Sequence, residues 1–358
     1  MTPRLYVAGR AGRYGRAAAR WGRLVLPDRR PPGIRVFYGV DKIPTRGEAV
    51  AGGTAKFQRL QERFPNSPFD YSLLYLGSSG LPRDLRPLLW LAQRRDTPVV
   101  VNQDGVGYPG WAGTETEAFN RPLRRALLAA DHVLYQSEFS KRSSDEFLGA
   151  PRGTWNVLSN AVDVDRFTPA ERPPADGPVL LLGGDQTQAY RLELALRTFA
   201  CVLETIPDAR LRVTGRLVGS PAALLAELGL LGRVEFVGRY TQRDAPAIYR
   251  SAHLLFHTTV TDPCPSIVVE AMACGLPVVY PASGGTVELV GDAGVGVPHR
   301  DSFERDEPPS PEAMAEAVTL VLADLQRLGA AARGRAVERF ALGPWLDRHA
   351  EVFSRLVG

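Results

Sequence analysis

Cysteine is scarce in this chain, and several signals that would place it in other protein classes are missing. The 358 residues include 3 cysteines, and the spacing of Cys201, Cys264 and Cys274 matches no metal-binding or disulfide pattern. No apolar run approaches the roughly 18 residues of a membrane span, and the first residues lack the apolar core and cleavage site of a secretory signal. We therefore expect a cytoplasmic protein without a bound metal.

Two further absences argue against particular classes of function. The formal net charge of +4 is too small to make nucleic acid the default partner. No G-x-G-x-x-G follows the first strand-like run with an acid about 20 residues further on, which argues against an NAD-dependent oxidoreductase. What is present, 44% hydrophobic and 23% charged residues, is typical of a globular chain long enough for two domains.

Arginine crowds the first thirty residues. In a helical projection one face carries Arg13, Arg16, Arg20 and Arg23, and the opposite face is rich in aromatic and aliphatic residues. A basic amphipathic helix of this kind can lie on an anionic membrane surface. Several glycines weaken a helix here, and two interpretations stay open. Segment 1–32 is a basic tail, or its residues 1–30 make a peripheral contact with the inner membrane face.

Short apolar runs alternate with helix-like segments in both halves of the chain. The runs predict strands at 33–38, 71–76, 98–102, 132–136, 155–158, 178–182, 211–214, 234–237, 253–257 and 277–280. The segments between them predict helices at 54–63, 82–94, 122–130, 140–148, 191–204, 221–228, 245–251 and 311–328. This alternation predicts an α/β protein with parallel sheets. A proline-rich stretch around 169–178 would link two Rossmann-like domains facing a cleft.

The most specific motif is a pair of acids separated by seven residues, Asp262 and Glu270. A short helical run follows, then Gly-Leu-Pro before a strand-like segment, and then Gly284, Gly285 and Thr286. The region resembles the donor-binding signature of retaining GT-B glycosyltransferases, glycosyltransferase family 4. Weaker resemblances, such as the hinge-like residues 160–169, extend over most of the chain.

The resemblance implies the GT-B fold, with two Rossmann-like domains facing an interdomain cleft. Residues 1–168 would bind the acceptor, residues 169–344 the nucleotide sugar, and the final helix 345–358 would pack back on the first domain. The implied enzyme is a retaining glycosyltransferase of the hexosyltransferase type. It would move a sugar from a nucleoside diphosphate donor, of the UDP or GDP type, to a glycan, lipid-linked or small-molecule hydroxyl. No tightly bound cofactor or metal is implied.

Donor-binding residues follow from the resemblance position by position. Glu270 matches the acid that binds the donor ribose, and Asp262 stands near the donor sugar, where the family usually has glutamate. Backbone N–H groups at a helix start and in glycine loops suit a diphosphate. The other donor-binding predictions are Cys264, Pro265, Ser266, Ile267, Gly284, Gly285, Thr286, Gly52, Gly53, Gly238 and Arg239.

The chain departs from the family at two places. The Arg–Lys clamp of the diphosphate has no clear match after strand 178–182; Arg191 is the first candidate to replace it, with Arg216 and Arg239 as alternatives. In the first domain the family's histidine is also missing, and polar residues at a strand end stand there instead. We predict Asp104, Asp262 and Arg191 in catalysis and Asn102, Gln103, Tyr108 and Trp111 in acceptor binding, the two aromatic side chains by stacking.

The histidines of this chain have no predicted functional role. His253 and His257 lie in an apolar strand-like run, and we interpret both as structural. Two other functions stay open at this point: a GT-B sugar-nucleotide epimerase, and a non-catalytic sugar-nucleotide-binding GT-B subunit. The missing clamp and the aspartate at position 262 motivate the second of these.

Overall fold

The structure, a computed structural model, describes residues 32–48, 52–171 and 177–358. All of the basic segment 1–32 but its last residue lies outside the described residues, and so does 172–176 within the predicted linker. The membrane contact predicted for residues 1–30 therefore stays a prediction. Within the described ranges, no helix has both the length and the apolar character needed to cross a membrane.

The first half of the chain builds a five-stranded parallel sheet in the order β1-β2-β3-β4-β5. The first four strands are fully buried, as expected for apolar runs covered by helices on both faces. The strands are β1 Val36–Phe37, β2 Leu73–Gly77, β3 Val99–Gln103, β4 His132–Tyr135 and β5 Thr154–Val157. The helices are α1 Gly52–Leu60, α2 Leu85–Arg94, α3 Pro109–Ala112, α4 Thr116–Ala129 and α5 Glu138–Phe147.

The second half builds a six-stranded parallel sheet in the order β11-β10-β9-β6-β7-β8. Its strands are β6 Val179–Leu182, β7 Arg210–Thr214, β8 Val234–Gly238, β9 Leu254–Phe256, β10 Val278–Ala282 and β11 Gly294–Pro298. Its helices are α6 Ala189–Thr205, α7 Ala222–Glu227, α8 Ala245–Arg250, α9 Ser266–Ala273, α10 Thr286–Val290, α11 Pro311–Ala323 and α12 Leu325–Arg339.

The strand order of the second sheet reverses between β6 and β9. From β6 the chain adds β7 and β8 on one side, and it then returns to pair β9 with the other side of β6. Ligands of open parallel sheets bind beyond the carboxyl ends of the strands at such a reversal. We therefore expect a ligand-binding site at the residues that follow β6 and β9.

Three differences between the structure and the predicted elements have a clear physical reason. Strand β11 was not predicted, because Gly-Val-Gly-Val offers few large apolar side chains. The predicted helix 311–328 is two helices, separated at Asp324, whose backbone leaves the helical region (φ −128°, ψ 34°). Pro122 suggested a helix start, since proline is favoured in a first turn, but α4 begins at Thr116 and continues through Pro122.

The last helix, α13 Leu342–Val357, packs on the first sheet although it follows the second half in the chain. Its Trp345, Val352 and Phe353 lie in one buried cluster with residues of β1, β2 and α1. Burying each of these large side chains contributes about 1.5–3 kcal/mol relative to leaving it exposed. The end of the chain therefore helps to hold the two halves together.

Candidate functional site

A cavity of about 460 Å³ lies between the two halves of the molecule. Residues from α1, from the ends of β2 and β3, and from the segments that follow β6 and β9 line it. The cavity thus opens where the strand order of the second sheet reverses, and the first domain closes it from the other side. Two groups of lining residues are called here the first wall (Gly53, Lys56, Ser78, Ser79 and Asp104) and the second wall (Arg191, His257 and residues 262–267).

The first wall is a closed network of hydrogen bonds. Lys56 is 2% exposed, and its ammonium group donates to Asp104 Oδ2 at 2.7 Å and to Asn102 Oδ1 at 2.6 Å. Asp104 also accepts the hydroxyl of Ser79 at 2.7 Å and the hydroxyl of Ser78. Burial alone would raise the pKa of Asp104, but Lys56 and the two serines lower it below its ordinary value. Asp104 is therefore held ionised.

Gly53 is a glycine because the first wall leaves no room for a side chain there. A Cβ atom at this position would lie 1.7 Å from Ser79 Oγ. Helix α1 begins one residue earlier, at Gly52, and so brings its first turn, with Lys56, against the cavity. The sequence predicted a role for the two glycines but not for Lys56, although a lysine one turn after a glycine pair is a recognisable signal.

The four residues predicted to bind the acceptor separate into two pairs. Tyr108 and Trp111 line the cavity, and the phenol of Tyr108 is hydrogen-bonded to the hydroxyl of Thr261 across the domains. Asn102 and Gln103, in contrast, are 1% and 0% exposed and lie outside the lining. Asn102 accepts from Lys56, and Gln103 donates to the carbonyl of Gly105. Their predicted contact with an acceptor stays a prediction.

The second wall is built by the loop between β9 and α9. Cys264, Pro265, Ser266 and Ile267 all line the cavity, and α9 begins at Ser266. The first amides of a helix have no intrahelical acceptor, and they carry the positive end of the helix dipole. Burial raises the pKa of the Cys264 thiol to about 12, so this residue is not a nucleophile. The loop can instead offer backbone donors to an anion.

Asp262 lies at the start of this loop. Its side chain is 25% exposed, and the backbone N–H of Cys264 donates to its Oδ1 at 3.2 Å. Burial raises the pKa of Asp262 to about 6, although Arg191 and the Cys264 amide act in the opposite direction. At neutral pH the carboxylate is therefore mostly ionised and faces the cavity.

Arg191 is the cation of the second wall. It is 8% exposed, and its guanidinium donates to the carbonyls of Asp185 at 2.7 Å and Gly183 at 3.4 Å. Its Nε has no hydrogen-bond partner among the described residues. Among the described lining residues, Arg191 and Lys56 carry the positive charge of the cavity. The alternative candidate Arg239 is 51% exposed, pairs with Asp185 and lies outside the lining.

His257 also lies in the second wall and has no role in the sequence analysis. It follows β9 directly, is 1% exposed, and its Nε2 lies 3.8 Å from Asp262 Oδ2. Burial first, and then Arg191, lowers its pKa to about 3. The sequence predicted this histidine as a structural residue inside strand 253–257, whereas β9 ends at Phe256, and periodicity could not show that the strand ends at the cavity.

Glu270 is placed differently from the sequence-based expectation. It is 2% exposed and outside the cavity lining. Arg59 of α1 donates to its Oε1 at 2.7 Å, Gln242 donates to the same oxygen at 3.2 Å, and Tyr249 donates to Oε2 at 2.9 Å. These three donors use most of the acceptor sites of the carboxylate in this conformation, and the predicted ribose contact stays a prediction. The sequence could not show that an arginine from the other domain occupies it.

The second glycine loop also lies outside the cavity lining. A Cβ atom on Gly285 would lie 1.9 Å from the carbonyl oxygen of Pro263, and Gly284 has a φ of +61° with Asp262 backbone atoms close by. These glycines therefore let the loop pack beneath the Asp262–Cys264 segment. Thr286 is buried behind them, and Gly238, at the end of β8, is likewise not a lining residue. The donor contacts predicted for these residues stay a prediction.

Polar side chains connect the two domains around the cavity. Asn160 donates to the carbonyl of Cys264 at 2.8 Å and to Gln136 at 3.0 Å, and Ser137 donates to the carbonyl of Pro263 at 2.6 Å. The carboxylate of Glu288 accepts the backbone N–H groups of Glu138 and Phe139, both at 2.8 Å. It thus caps the start of α5 from the other domain.

Comparisons with known proteins agree with this architecture. Residues 177–324 match the family model for glycosyl transferases group 1. The D-inositol 3-phosphate glycosyltransferase of Mycobacterium sp. (strain KMS) is 30% identical over 182 residues, which are 47% of this chain and 40% of that protein. The enzyme of the same name from Mycobacterium bovis (strain BCG / Pasteur 1173P2) is 29% identical over 347 residues, 89% of this chain and 65% of that protein. The chain spans less than two thirds of both relatives.

The solved structure of Anabaena HepE in complex with UDP is similar in fold. The match has a TM-score of 0.64 and 20% identity, and it covers 80% of this chain and 79% of that one. HepE has also been solved with UDP-glucose. The two parallel-sheet domains are thus those of the GT-B fold that the sequence predicted, which confirms the expected fold class.

Proposed function

We propose that this chain is a retaining glycosyltransferase that moves a sugar from a nucleoside diphosphate donor to an acceptor hydroxyl. The proposal rests on the residues that the second wall brings together: Arg191, the start of α9 and Asp262. An arginine, a helix start and a carboxylate meet at the strand-order reversal, where open α/β sheets bind nucleotides. The first wall faces them with a lysine. In this proposal residues 169–344 bind the donor, residues 1–168 bind the acceptor, and 345–358 joins the two.

The leaving diphosphate needs cations and N–H donors where its charge develops. Arg191 is buried at the cavity with Nε unpaired among the described residues, and Ser266 and Ile267, at the start of α9, line the same cavity. We assign the diphosphate to these groups, with Lys56 opposite them. The absent Arg–Lys clamp is then replaced by one cation from each domain.

The acceptor proton needs a destination, and the first wall offers none. Asp104 already accepts from Lys56, Ser78 and Ser79, so it is better placed to orient Lys56 than to act as a base. In the proposed mechanism the bond from the anomeric carbon to the diphosphate oxygen breaks and the bond to the acceptor oxygen forms on the same face. The released phosphate oxygen takes the acceptor proton. Tyr108 and Trp111 would contact the acceptor.

The ribose would bind at Glu270 after Arg59 has moved away. The carboxylate and its donors Tyr249 and Gln242 belong to the second domain, whereas Arg59 belongs to the first. A small relative movement of the domains, common in enzymes that close over a substrate, would exchange the guanidinium for two ribose hydroxyls. The UDP complexes of the structural neighbour support a donor of the UDP type.

A ligand screen with a matched pair of variants tests this function. Thermal unfolding would be followed with UDP, GDP, ADP, dTDP and their glucose conjugates. Binding at a hundredfold excess over Kd should stabilise the fold by about 2.7 kcal/mol. We expect Arg191→Met to abolish this effect and to lower turnover about 100-fold or more. Arg197→Met is the control, because Arg197 lies on the same helix but outside the cavity lining and is paired with Glu193 and Glu227.

The stereochemistry is read from slow donor hydrolysis by NMR. The sugar that appears first should keep the anomeric configuration of the donor, and the opposite anomer would overturn the retaining mechanism. Binding of a nucleotide sugar with neither hydrolysis nor transfer would favour a non-catalytic subunit. Conversion of the sugar while it is still attached to the nucleotide would favour an epimerase. No binding of any nucleotide would refute the donor site.

A further inference from the structure

The imidazole of His257 is buried at the cavity without a hydrogen-bond partner. Its backbone N–H donates to the carbonyl of Val279 at 2.8 Å, so pairing with β10 fixes its position. Its side chain is 1% exposed, and neither Nδ1 nor Nε2 has a partner among the described residues. His257 is nevertheless one of the residues that line the cavity.

Other histidines of the chain show what a structural histidine looks like here. His132 is bonded at both ring nitrogens, to Thr154 and to Asn156, each at 2.7 Å. His349 is bonded to the hydroxyl of Tyr75 at 3.1 Å and to the carbonyl of Trp345 at 2.9 Å. His253 accepts the backbone N–H of Val179 at 3.0 Å. His257 differs from all three, so its polarity is not used by the fold.

An unpaired buried polar group costs about 1–3 kcal/mol, and a ligand that pairs with it recovers that free energy. Because burial and Arg191 keep the ring neutral, one nitrogen donates and the other accepts. A hydroxyl group also donates and accepts, whereas a phosphate at neutral pH mainly accepts. The ring therefore suits a sugar hydroxyl, and Arg191 suits the phosphates.

Asp262 completes the geometry. Its Oδ2 and His257 Nε2 lie 3.8 Å apart, which is too far for a hydrogen bond between them. The separation matches that of two atoms that are both bonded to one hydroxyl oxygen, at about 2.8 Å from each. We propose that His257 and Asp262 together hold one hydroxyl of the donor sugar, so that His257 helps to determine which nucleotide sugars bind. The inference rests on the proposed function and names a specificity residue within the same site.

The test compares a nucleotide sugar with the free nucleotide by calorimetric titration. UDP-glucose and UDP would be used first, and the corresponding GDP, ADP or dTDP pair if the ligand screen favours another base. We expect His257→Leu to weaken binding of the nucleotide sugar about 10- to 100-fold and to leave the free nucleotide within about twofold. His299→Leu, in the same domain but outside the lining, should change neither.

Two further measurements separate recognition from a structural role. Because leucine removes an unpaired polar group, unliganded His257→Leu should melt at the wild-type temperature or above it. Among deoxy analogues of the bound sugar, the one that lacks the bridging hydroxyl should bind wild type and His257→Leu equally well.

Each outcome bears on one proposal or on both. If wild type discriminates the nucleotide sugar from the nucleotide and His257→Leu does so equally, His257 does not read the sugar, and the proposed function stands. If His257→Leu lowers the melting temperature and weakens both ligands alike, the histidine is structural. If wild type binds no nucleotide, the proposed function fails and this inference fails with it.

Discussion

The two walls of the cavity have similar polar residues but opposite hydrogen-bonding states. In the first wall Lys56, Asp104 and the two serines satisfy one another. In the second wall both ring nitrogens of His257 and the Nε of Arg191 lack partners among the described residues. A buried polar group without a partner lowers the stability of the fold, and a ligand that pairs with it recovers that free energy. The comparison indicates that the first wall is preorganised by its own hydrogen bonds, whereas the second wall keeps polar atoms that are unpaired among the described residues.

The largest expected effect comes from breaking the first wall. Lys56→Met should lower the free energy of unfolding by about 3–5 kcal/mol, because it leaves the buried carboxylate of Asp104 without its cation. Urea denaturation measures the change. In the double variant Lys56→Met/Asp104→Asn most of the loss should disappear, since no unpaired charge remains. A double variant as unstable as the single one would show that the network is not coupled as described.

The pH dependence of stability should reveal the unpaired state of the second wall. His257 has a folded-state pKa of about 3 against an ordinary value of 6.5, so the unfolded chain binds this proton first, and wild type loses stability as the pH falls below about 6.5. Asp262 and Arg191 are the charged groups that face the ring. From pH 7.5 to pH 5, His257→Leu should gain about 2 kcal/mol relative to wild type. Parallel stability curves for the two proteins would contradict a buried neutral imidazole.

The smallest expected effect tests the contact between the domains at Glu270. Arg59→Met removes the group that competes with ribose, so the Kd for the bound nucleoside diphosphate should fall about tenfold, equivalent to about 1.4 kcal/mol. Titration calorimetry measures it. Arg63→Met, one turn further along and paired with Asp347 at the surface, is the matched control. Weaker binding by Arg59→Met would show that Arg59 supports the nucleotide rather than excluding it.

Sequence determined the class of fold and the position of the loop that carries the site. Alternating apolar runs and helices specify parallel sheets, because a strand buried on both faces must be apolar throughout. The acid pair at 262 and 270 and the following Gly-Leu-Pro marked the loop and helix α9 correctly. The same pattern could not predict β11, whose small residues become a strand only through pairing with β10.

Tertiary structure decided which of the marked residues face the cavity. Glu270, Asn102 and Gln103 carry the right chemistry but are turned inward and bonded. His257 lines the cavity without any motif that predicts it, and Lys56 lines it one turn after the Gly52–Gly53 pair. These differences depend on contacts between residues far apart in the chain, such as Arg59 with Glu270 and Asn160 with Cys264. The local sequence determines where helices, strands and loops form, because backbone preferences and the spacing of apolar residues act over short distances along the chain. The state of a buried polar group depends on what the other domain places against it.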